Sequence, residues 1–322
     1  MTVVQYQVNQ PVSSGWGIMD IVTLLFRQNL IMFLYLFIGY ILYKKKVITA
    51  SGSGEIGKLL LHVIMPAAII KSYIKEFSPE MFSGFLMSFG AALGALLLSM
   101  LVSTLVFRGR SAVRRFGAAF SNAGFIGIPL VQMTLGEEAV FYVASYVAVL
   151  NILQWTYGVF IITRDKTQIS LRKIVTNPIA VSLAAGLLLF FLPVRLPETV
   201  TGIVGTLASM NGPLAMIVLG AYLAQVPSGE LFTDKLTYLC AAVRLLLIPV
   251  LTLGCLILVP DGYETVRLAV LLAAAAPVGS NVAIFAQIYH KEYTDAVKDV
   301  CLSTVFSILT MPLVIGLANY IW

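Results

Sequence analysis

Charged side chains are scarce in this sequence of 322 residues. Asp, Glu, Lys and Arg make up 11% of it, against about 25% in soluble domains. Hydrophobic residues make up 59%, the mean hydropathy is +0.93, and the apolar residues fall in runs long enough to cross a bilayer as helices. The composition excludes a soluble globular domain and predicts an all-α integral membrane protein that crosses the bilayer several times.

Residues that bind metals or perform covalent catalysis are also few. Cys240, Cys255 and Cys301 lie in separate apolar stretches, and the two histidines, His62 and His290, are far apart. No pair has metal-ligand spacing, and there is no ATP-binding GxxxxGK[ST] loop. We therefore predict no metal site, no cofactor and no catalytic residue, and hence no enzyme.

Acidic residues are absent from the interior of every predicted span. Proton-coupled carriers of related architecture usually have buried carboxylates as their proton relay. Carboxylate-based proton coupling is therefore disfavoured. Sodium bound by backbone carbonyls at helix breaks is one alternative, and a uniporter or an anion exchanger is another.

Apolar runs bounded by charged residues or by Pro and Gly predict ten membrane spans. Residues 1–20 lack Lys and Arg and are predicted to form a polar tail rather than a signal peptide. Asn177 followed by Pro178 marks one helix start, and Glu137 with Glu138 marks another. The predicted spans are 21–43, 55–74, 80–107, 115–135, 138–162, 177–193, 199–224, 236–259, 267–289 and 296–320.

Basic residues are distributed unequally between the two sets of connections. Fifteen of the 21 Lys and Arg lie on one set and five on the other, while Arg244 lies within a span. Because positive charge stays in the cytoplasm, this asymmetry predicts a plasma (inner) membrane protein with both termini outside. Basic clusters that flank spans usually set topology, so we predict contact with the lipid bilayer and no nucleic-acid binding.

Prolines within four spans indicate an internal repeat. Pro66 and Pro213 are 147 residues apart, and Pro129 and Pro277 are 148 apart. Two halves of five spans each would have opposite orientations, as in many secondary transporters. The predicted organisation is a first repeat at 21–162, a cytoplasmic connection at 163–176 and a second, inverted repeat at 177–322.

The fourth and ninth spans contain residues that interrupt membrane helices. We predict one break at Gly127 to Pro129, within SNAGFIGIPL, and another from Pro277 to Asn281. Free backbone groups at membrane depth must face protein or a water-filled cavity, so the breaks predict a polar site near the midplane. Half-helix N-termini attract anions, and Asn122, Ser280 and Asn281 can add side-chain donors.

The same segments resemble the auxin efflux carrier family, which includes plant auxin exporters and bacterial malate and malonate carriers. SNAGFIGIPL (121–130), VRLLLIPV (243–250) and AAAAPVGSNVAIFAQIYHKEY (273–293) are similar to its fourth, eighth and ninth helices. The resemblance implies ten helices in two inverted repeats, with helices 4 and 9 crossing at their breaks, as in sodium/proton antiporters and bile-acid symporters. It also implies a homodimer and an elevator mechanism, in which helices 1, 2, 6 and 7 are the scaffold and the others move.

The resemblance implies substrate binding at the crossover. Asn122 matches a substrate-binding asparagine of the family, and Asn151, ahead of Trp155, stands where plant exporters have a glutamine. Arg244 either attracts the anion, pins the crossover or extends its charge toward the cytoplasm, and His62 is more typical of a satisfied interior histidine than of a site residue. The predicted substrate-binding residues are Asn122, Gly127, Pro129, Pro277, Ser280, Asn281, Asn151, Pro66, Asn211 and Arg244.

The predicted function is secondary transport of a small organic anion, such as malate, malonate or an auxin-like acid. A non-transporting membrane sensor of such an anion is the main alternative. An intramembrane enzyme and a channel are the others, but the chain lacks a paired nucleophile and base, and broken crossed helices suit a closed binding site better than a pore.

Overall fold

The computed structural model describes residues 18–192, 196–225 and 233–322, and every regular element in these ranges is a helix. A short helix, Leu171–Val175, lies between Thr163 and the start of the next long helix. The main helices are α1 (Ile18–Lys44), α2 (Ala50–Tyr73), α3 (Pro79–Phe107), α4a (Ala112–Ala119), α4b (Ala123–Leu135), α5 (Glu137–Thr163), α6 (Pro178–Phe191), α7 (Glu198–Gln225), α8 (Lys235–Leu256), α9a (Glu264–Ala275), α9b (Asn281–Ile288) and α10 (Tyr293–Ile321).

Six of the described helices are long and apolar enough to cross a membrane: α2, α3, α5, α7, α8 and α10. Shorter apolar helices are Leu30–Lys44 within α1, α4b and α6. The predicted fourth and ninth spans are each divided in two. Residues 1–17 of the predicted tail lie outside the described residues, and α1 begins at Ile18, slightly before the predicted boundary.

Local sequence explains where many of the helices begin. Asn177 caps α6 by accepting a hydrogen bond from the Ile179 N–H at 2.9 Å, and Pro178 occupies the first turn. Glu137 and Glu138 lie in the first turn of α5, where negative charge is favourable. Both helix starts were predicted. Capping side chains also precede α2, α3, α4a and α8, at Thr49, Ser78, Ser111 and Asp234.

Three prolines lie just after a wider π-helical turn instead of at a break. The turns are Leu60–Ile64, Ala123–Gly127 and Val243–Leu247, each ending two residues before Pro66, Pro129 or Pro249. A proline has no N–H and its ring clashes with the carbonyl four residues earlier, and a π turn relieves both conflicts. The prediction of a break at Gly127 to Pro129 is therefore wrong, because these residues are helical.

Helices α1 and α7 approach each other closely through two glycines. A Cβ atom on Gly220 would overlap the carbonyl oxygen of Leu36, and one on Gly39 would overlap the carbonyl oxygen of Ile217. The contact is therefore backbone against backbone, of the kind that small residues permit between membrane helices. By contrast, Gly90 and Gly94 of α3 have open space at their Cβ positions.

Candidate functional site

The breaks in the fourth and ninth helices meet in the centre of the bundle. The Asn122 N–H donates to the Pro277 carbonyl at 2.8 Å, and the Gly279 N–H donates to the Phe120 carbonyl at 3.0 Å. Ser121 and Val278 form an antiparallel bridge between these bonds. We call residues 120–122 and 276–280 the crossover. Its two segments hydrogen-bond to each other through their backbones, which makes the breaks tolerable inside a membrane protein.

Local chemistry fixes the crossover geometry. Ala276 is extended, with ψ of 148°, as the residue before a proline prefers. Gly279 passes so close to the opposite strand that a Cβ atom would lie 2.9 Å from the Ser121 carbonyl oxygen. The Val278 N–H donates to the Ser303 hydroxyl of α10 at 3.0 Å. The break at Pro277 to Asn281 was predicted, whereas the break in the fourth helix lies at Phe120 to Asn122.

A small cavity adjoins the crossover, between it and helices α2 and α6. Its volume is about 20 Å³, which holds about one water molecule. No lining residue is ionisable, so recognition there depends on helix ends and neutral polar groups. The lining residues are Leu61, Met65, Ser121, Asn122, Gly124, Phe125, Val147, Leu150, Asn151, Ile179, Gly279, Ser280 and Asn281.

Two half-helices begin at this cavity. Helix α4b starts directly after Asn122, and α9b starts at Asn281. The first N–H groups of a helix lack intrahelical acceptors, and each N-terminus carries about half a positive charge. The Asn122 Nδ2 is buried beside the cavity and has no hydrogen-bond partner among the described residues. The cavity therefore presents donors and positive potential, which suit an anion.

Four predicted site residues come together at the cavity: Asn122, Asn151, Ser280 and Asn281. The Asn151 amide also donates to the Val147 carbonyl of its own helix at 2.8 Å. The other six do not line it, namely Gly127, Pro129, Pro66, Asn211, Pro277 and Arg244.

Five of these six lie outside the cavity lining, at the crossover or packed against neighbouring helices, and Arg244 is described below. Gly127 packs against Ala273, and Pro129 packs against Gly212. Asn211 is fully buried, with no hydrogen-bond partner for its amide among the described residues. Pro277 contributes its carbonyl to the crossover, and Pro66 follows the lining residue Met65 in α2.

Gln154 is a buried polar residue, bonded to the cavity lining, that the sequence reasoning missed. It is fully buried in the π turn of α5, and its Oε1 accepts a hydrogen bond from the Asn281 Nδ2 at 2.8 Å. Its own Nε2 has no partner among the described residues. A glutamine directly before Trp155 in an apolar span was the available signal. Gln154, rather than Asn151, is thus the amide that fixes the start of α9b.

Arg244 pins the crossover from the side opposite the N-termini. Its guanidinium is fully buried and donates to the carbonyls of Ala118 at 3.0 Å, Ala119 at 3.3 Å and Ala274. It also donates to the Ser99 hydroxyl at 3.0 Å. The carbonyls belong to the C-terminal ends of α4a and α9a, which each carry about half a negative charge. Of the three predicted roles for Arg244, this geometry fits pinning; the side chain neither lines the cavity nor extends outward.

One carboxylate is buried inside the bundle, contrary to prediction. Asp299 of α10 is completely inaccessible, and its Oδ2 lies 3.9 Å from the Nε of the buried Arg114. Arg114 also pairs with Asp295 at 3.1 Å and with Asp234. Burial opposes the charge of Asp234, but hydrogen bonds from Arg114 and the backbone outweigh it and hold the pKa of Asp234 below its ordinary value. Asp299 lies near the start of α10, which begins at Tyr293, so sequence position alone did not reveal its burial.

His62 is a further correction, because it lies on an exposed face of α2 rather than in the interior. Its Nδ1 is 2.9 Å from the Lys58 carbonyl oxygen. It does not line the crossover cavity.

Comparison with known proteins identifies the family. The sequence profile described as "Membrane transport protein" matches residues 24–315. A Rhizobium meliloti (strain 1021) protein described as "Putative malonate transporter" is 27% identical over 212 residues, which is 62% of this chain and 65% of that protein. Because the profile covers most of the chain, this multi-pass membrane protein belongs to the membrane transport protein family, the auxin efflux carrier family that the crossover motif predicted.

Proposed function

We propose that this protein is a secondary transporter of small organic anions, of the mono- or dicarboxylate class. Membership of a transporter family supports transport over catalysis, and the relative's description favours a malonate-like substrate. The observation that carries the proposal is the convergence on one cavity of two half-helix N-termini and the Asn122 Nδ2, which has no partner within the described ranges. A carboxylate group would accept hydrogen bonds from these donors and benefit from both helix dipoles.

The charge arrangement of the crossover supports an anion rather than a cation. Two C-terminal helix ends, with a combined charge of about −1, face the guanidinium of Arg244, and two N-terminal ends face the cavity. Arg244 therefore permanently neutralises the negative C-terminal ends of α4a and α9a. The positive N-terminal ends at the cavity remain for the substrate, whose carboxylate would neutralise them.

We propose ten transmembrane spans in two inverted repeats, with 21–162 and 177–322 as the repeats and 163–176 as the connection. Both termini would lie outside the plasma membrane. The repeated proline spacing supports the duplication, as do the two helix breaks, one in each half. Inverted repeats of this kind place the substrate at the repeat interface near the membrane midplane.

An elevator-like displacement is the proposed transport step. The cavity lies between α4, α5 and α9 on one side and α2 and α6 on the other, the two groups that the family resemblance assigns to the moving part and the scaffold. At about 20 Å³ the cavity is too small for a dicarboxylate, so these groups must separate for substrate to enter. The close α1–α7 contact would keep the scaffold rigid, and a homodimer would anchor it.

Asn122→Ala is expected to weaken malonate binding by about 10- to 100-fold while leaving the protein folded. The substitution removes a donor to a charged group, worth about 1.5–3 kcal/mol, without opening a large apolar cavity. Isothermal titration of the purified proteins measures the effect. Asn319→Ala is the matched control, because the Nδ2 of this amide also has no partner in the described part of the chain but does not line the cavity. Equal affinity in wild type and Asn122→Ala would remove Asn122 from the site.

Transport is expected to be independent of sodium. Carbonyls at the ends of broken helices are where sodium would bind in such a fold, and here three of them already accept hydrogen bonds from Arg244. Replacing external sodium by choline should therefore leave the initial rate of uptake unchanged. A rate that rises in proportion to sodium would show that a cation site exists elsewhere.

A further inference from the structure

A groove with four arginines opens where the loop from α3 to α4a meets the end of α5. Its volume is about 490 Å³. Arg108, Arg110, Arg115 and Arg164 line it, together with Phe107, Phe160, Ile161, Gly109, Ser111 and Ala112. No acidic residue is among its lining residues. This groove lies away from the crossover cavity and shares none of its residues.

The positive charge of the groove has no counter-ion within the described part of the chain. None of its four arginines has a carboxylate within salt-bridge distance there. Arg114, next in sequence to Arg115, does not line the groove and instead pairs with Asp234, Asp295 and Asp299. Asp165, next to Arg164, accepts hydrogen bonds from the Thr167 N–H at 2.8 Å and hydroxyl at 2.7 Å. The positive charge of the groove is therefore available to an anion from outside the described chain.

The backbone around the groove is well fixed. Gly109 has φ of +77°, and the Arg110 N–H donates to the Phe107 carbonyl at 3.1 Å, which closes the turn after α3. Arg164 ends α5 in the left-handed conformation, with its N–H donating to the Phe160 carbonyl at 2.8 Å. These bonds hold the arginine backbones in place before a ligand arrives.

Arg115 is oriented by its surroundings. Its guanidinium carbon lies 5.6 Å from the centre of the Tyr157 ring, a cation–π arrangement. Its Nε is buried and has no hydrogen-bond partner among the described residues. A planar guanidinium with free donors matches the oxygens of a phosphate group.

An apolar strip leads directly to the groove along α3. Leu97, Leu101 and Leu105 recur at intervals of four residues and are 49%, 57% and 71% exposed. The strip ends three residues before Arg108. A free anion would use only the arginines, whereas a lipid would use both the arginines and the apolar strip.

We propose that this groove binds the phosphate headgroup of an anionic phospholipid, with the acyl chains lying along the Leu97, Leu101 and Leu105 face of α3. Basic pockets beside membrane helices are favourable sites for such headgroups. Four arginines in one groove favour a headgroup with two phosphates over one with a single phosphate. Bound lipid would join the α3–α4a turn to the end of α5.

Lipid-dependent thermal stability of the full-length protein tests this proposal. Protein in a neutral detergent is titrated with cardiolipin, phosphatidylglycerol or phosphatidylcholine, and with inorganic phosphate at matched phosphate concentration. Cardiolipin is expected to raise the melting temperature most and phosphatidylcholine least. Equal stabilisation by phosphatidylcholine would overturn the proposal, and stabilisation by inorganic phosphate equal to that by cardiolipin would show a soluble anion site instead.

The matched variants remove the same charge from different places. Arg108→Gln, Arg110→Gln and Arg164→Gln are combined, because all three side chains are exposed, and the cardiolipin shift should fall to less than half of the wild-type value. The control combines Lys45→Gln, Arg172→Gln and Lys291→Gln, three exposed cations elsewhere, and should keep the full shift. Equal shifts in the two triple variants would contradict the groove assignment. Arg110→Gln alone is the milder variant if the first triple does not fold, and it should reduce the shift in the same direction.

Discussion

Replacing Arg244 by leucine is expected to lower the free energy of unfolding by about 3–5 kcal/mol, the largest loss we predict for a single side chain. The guanidinium donates to carbonyls at the ends of both α4a and α9a. Leucine would fill part of the space but would leave these carbonyls without donors in the interior. A buried acceptor deprived of its partner costs about 1–3 kcal/mol, and the two helix ends would also lose their counter-charge.

Thermal unfolding in detergent measures this loss, and two variants make it specific. Arg244→Lys keeps the charge but replaces a planar fork by a single ammonium, so we expect an intermediate loss. Arg172→Gln removes an exposed arginine and should change stability little. If Arg244→Leu unfolds at the same temperature as wild type, Arg244 does not hold the crossover together.

The second large effect is expected at the contact between α1 and α7. In Gly220→Ala the new methyl group would overlap the backbone carbonyl of Leu36, and a backbone atom cannot turn aside as a side chain can. The two helices would have to separate, at a cost of about 1–3 kcal/mol or more. Gly39→Ala should act similarly, because its methyl group would meet the Ile217 carbonyl.

Gly90→Ala provides the control for these glycine variants. It also lies within a helix, but nothing is within 4 Å of its Cβ position. Alanine is favoured over glycine in helices by about 0.5–1 kcal/mol, so this variant should equal or exceed the wild type in stability. Similar melting temperatures for Gly220→Ala and Gly90→Ala would show that the α1–α7 contact is looser than described.

Most of the helices and the break in the ninth span were predictable because their signals are local. Apolar runs, the Asn177 cap and the break after Ala276 each depend on a few neighbouring residues. The prediction that Asn122 lies near Ser280 and Asn281 depended on the repeat and the family resemblance, and the structure places all three at one cavity.

The errors concern features that depend on distant partners. A proline shows that regular α-helical geometry is strained, but it does not show how the helix relieves that strain. The sequence therefore did not distinguish the π turn before Pro129 from a break. The non-helical backbone at Phe120 to Asn122 exists because residues 277–279 lie opposite it. Arg244 and Asp299 likewise have partners more than 100 residues away in sequence. Periodicity cannot reveal such pairings.

The most direct test of the proposed function is counterflow into proteoliposomes loaded with unlabelled malonate, malate or indole acetate. The matching labelled acid is then supplied outside, and uptake is followed for wild type, Asn122→Ala and Asn319→Ala. We predict transient accumulation of at least one acid by wild type and Asn319→Ala, and loss of that accumulation in Asn122→Ala. Absence of uptake of all three acids by folded wild-type protein, or full uptake by Asn122→Ala, would contradict organic-anion transport through the crossover site.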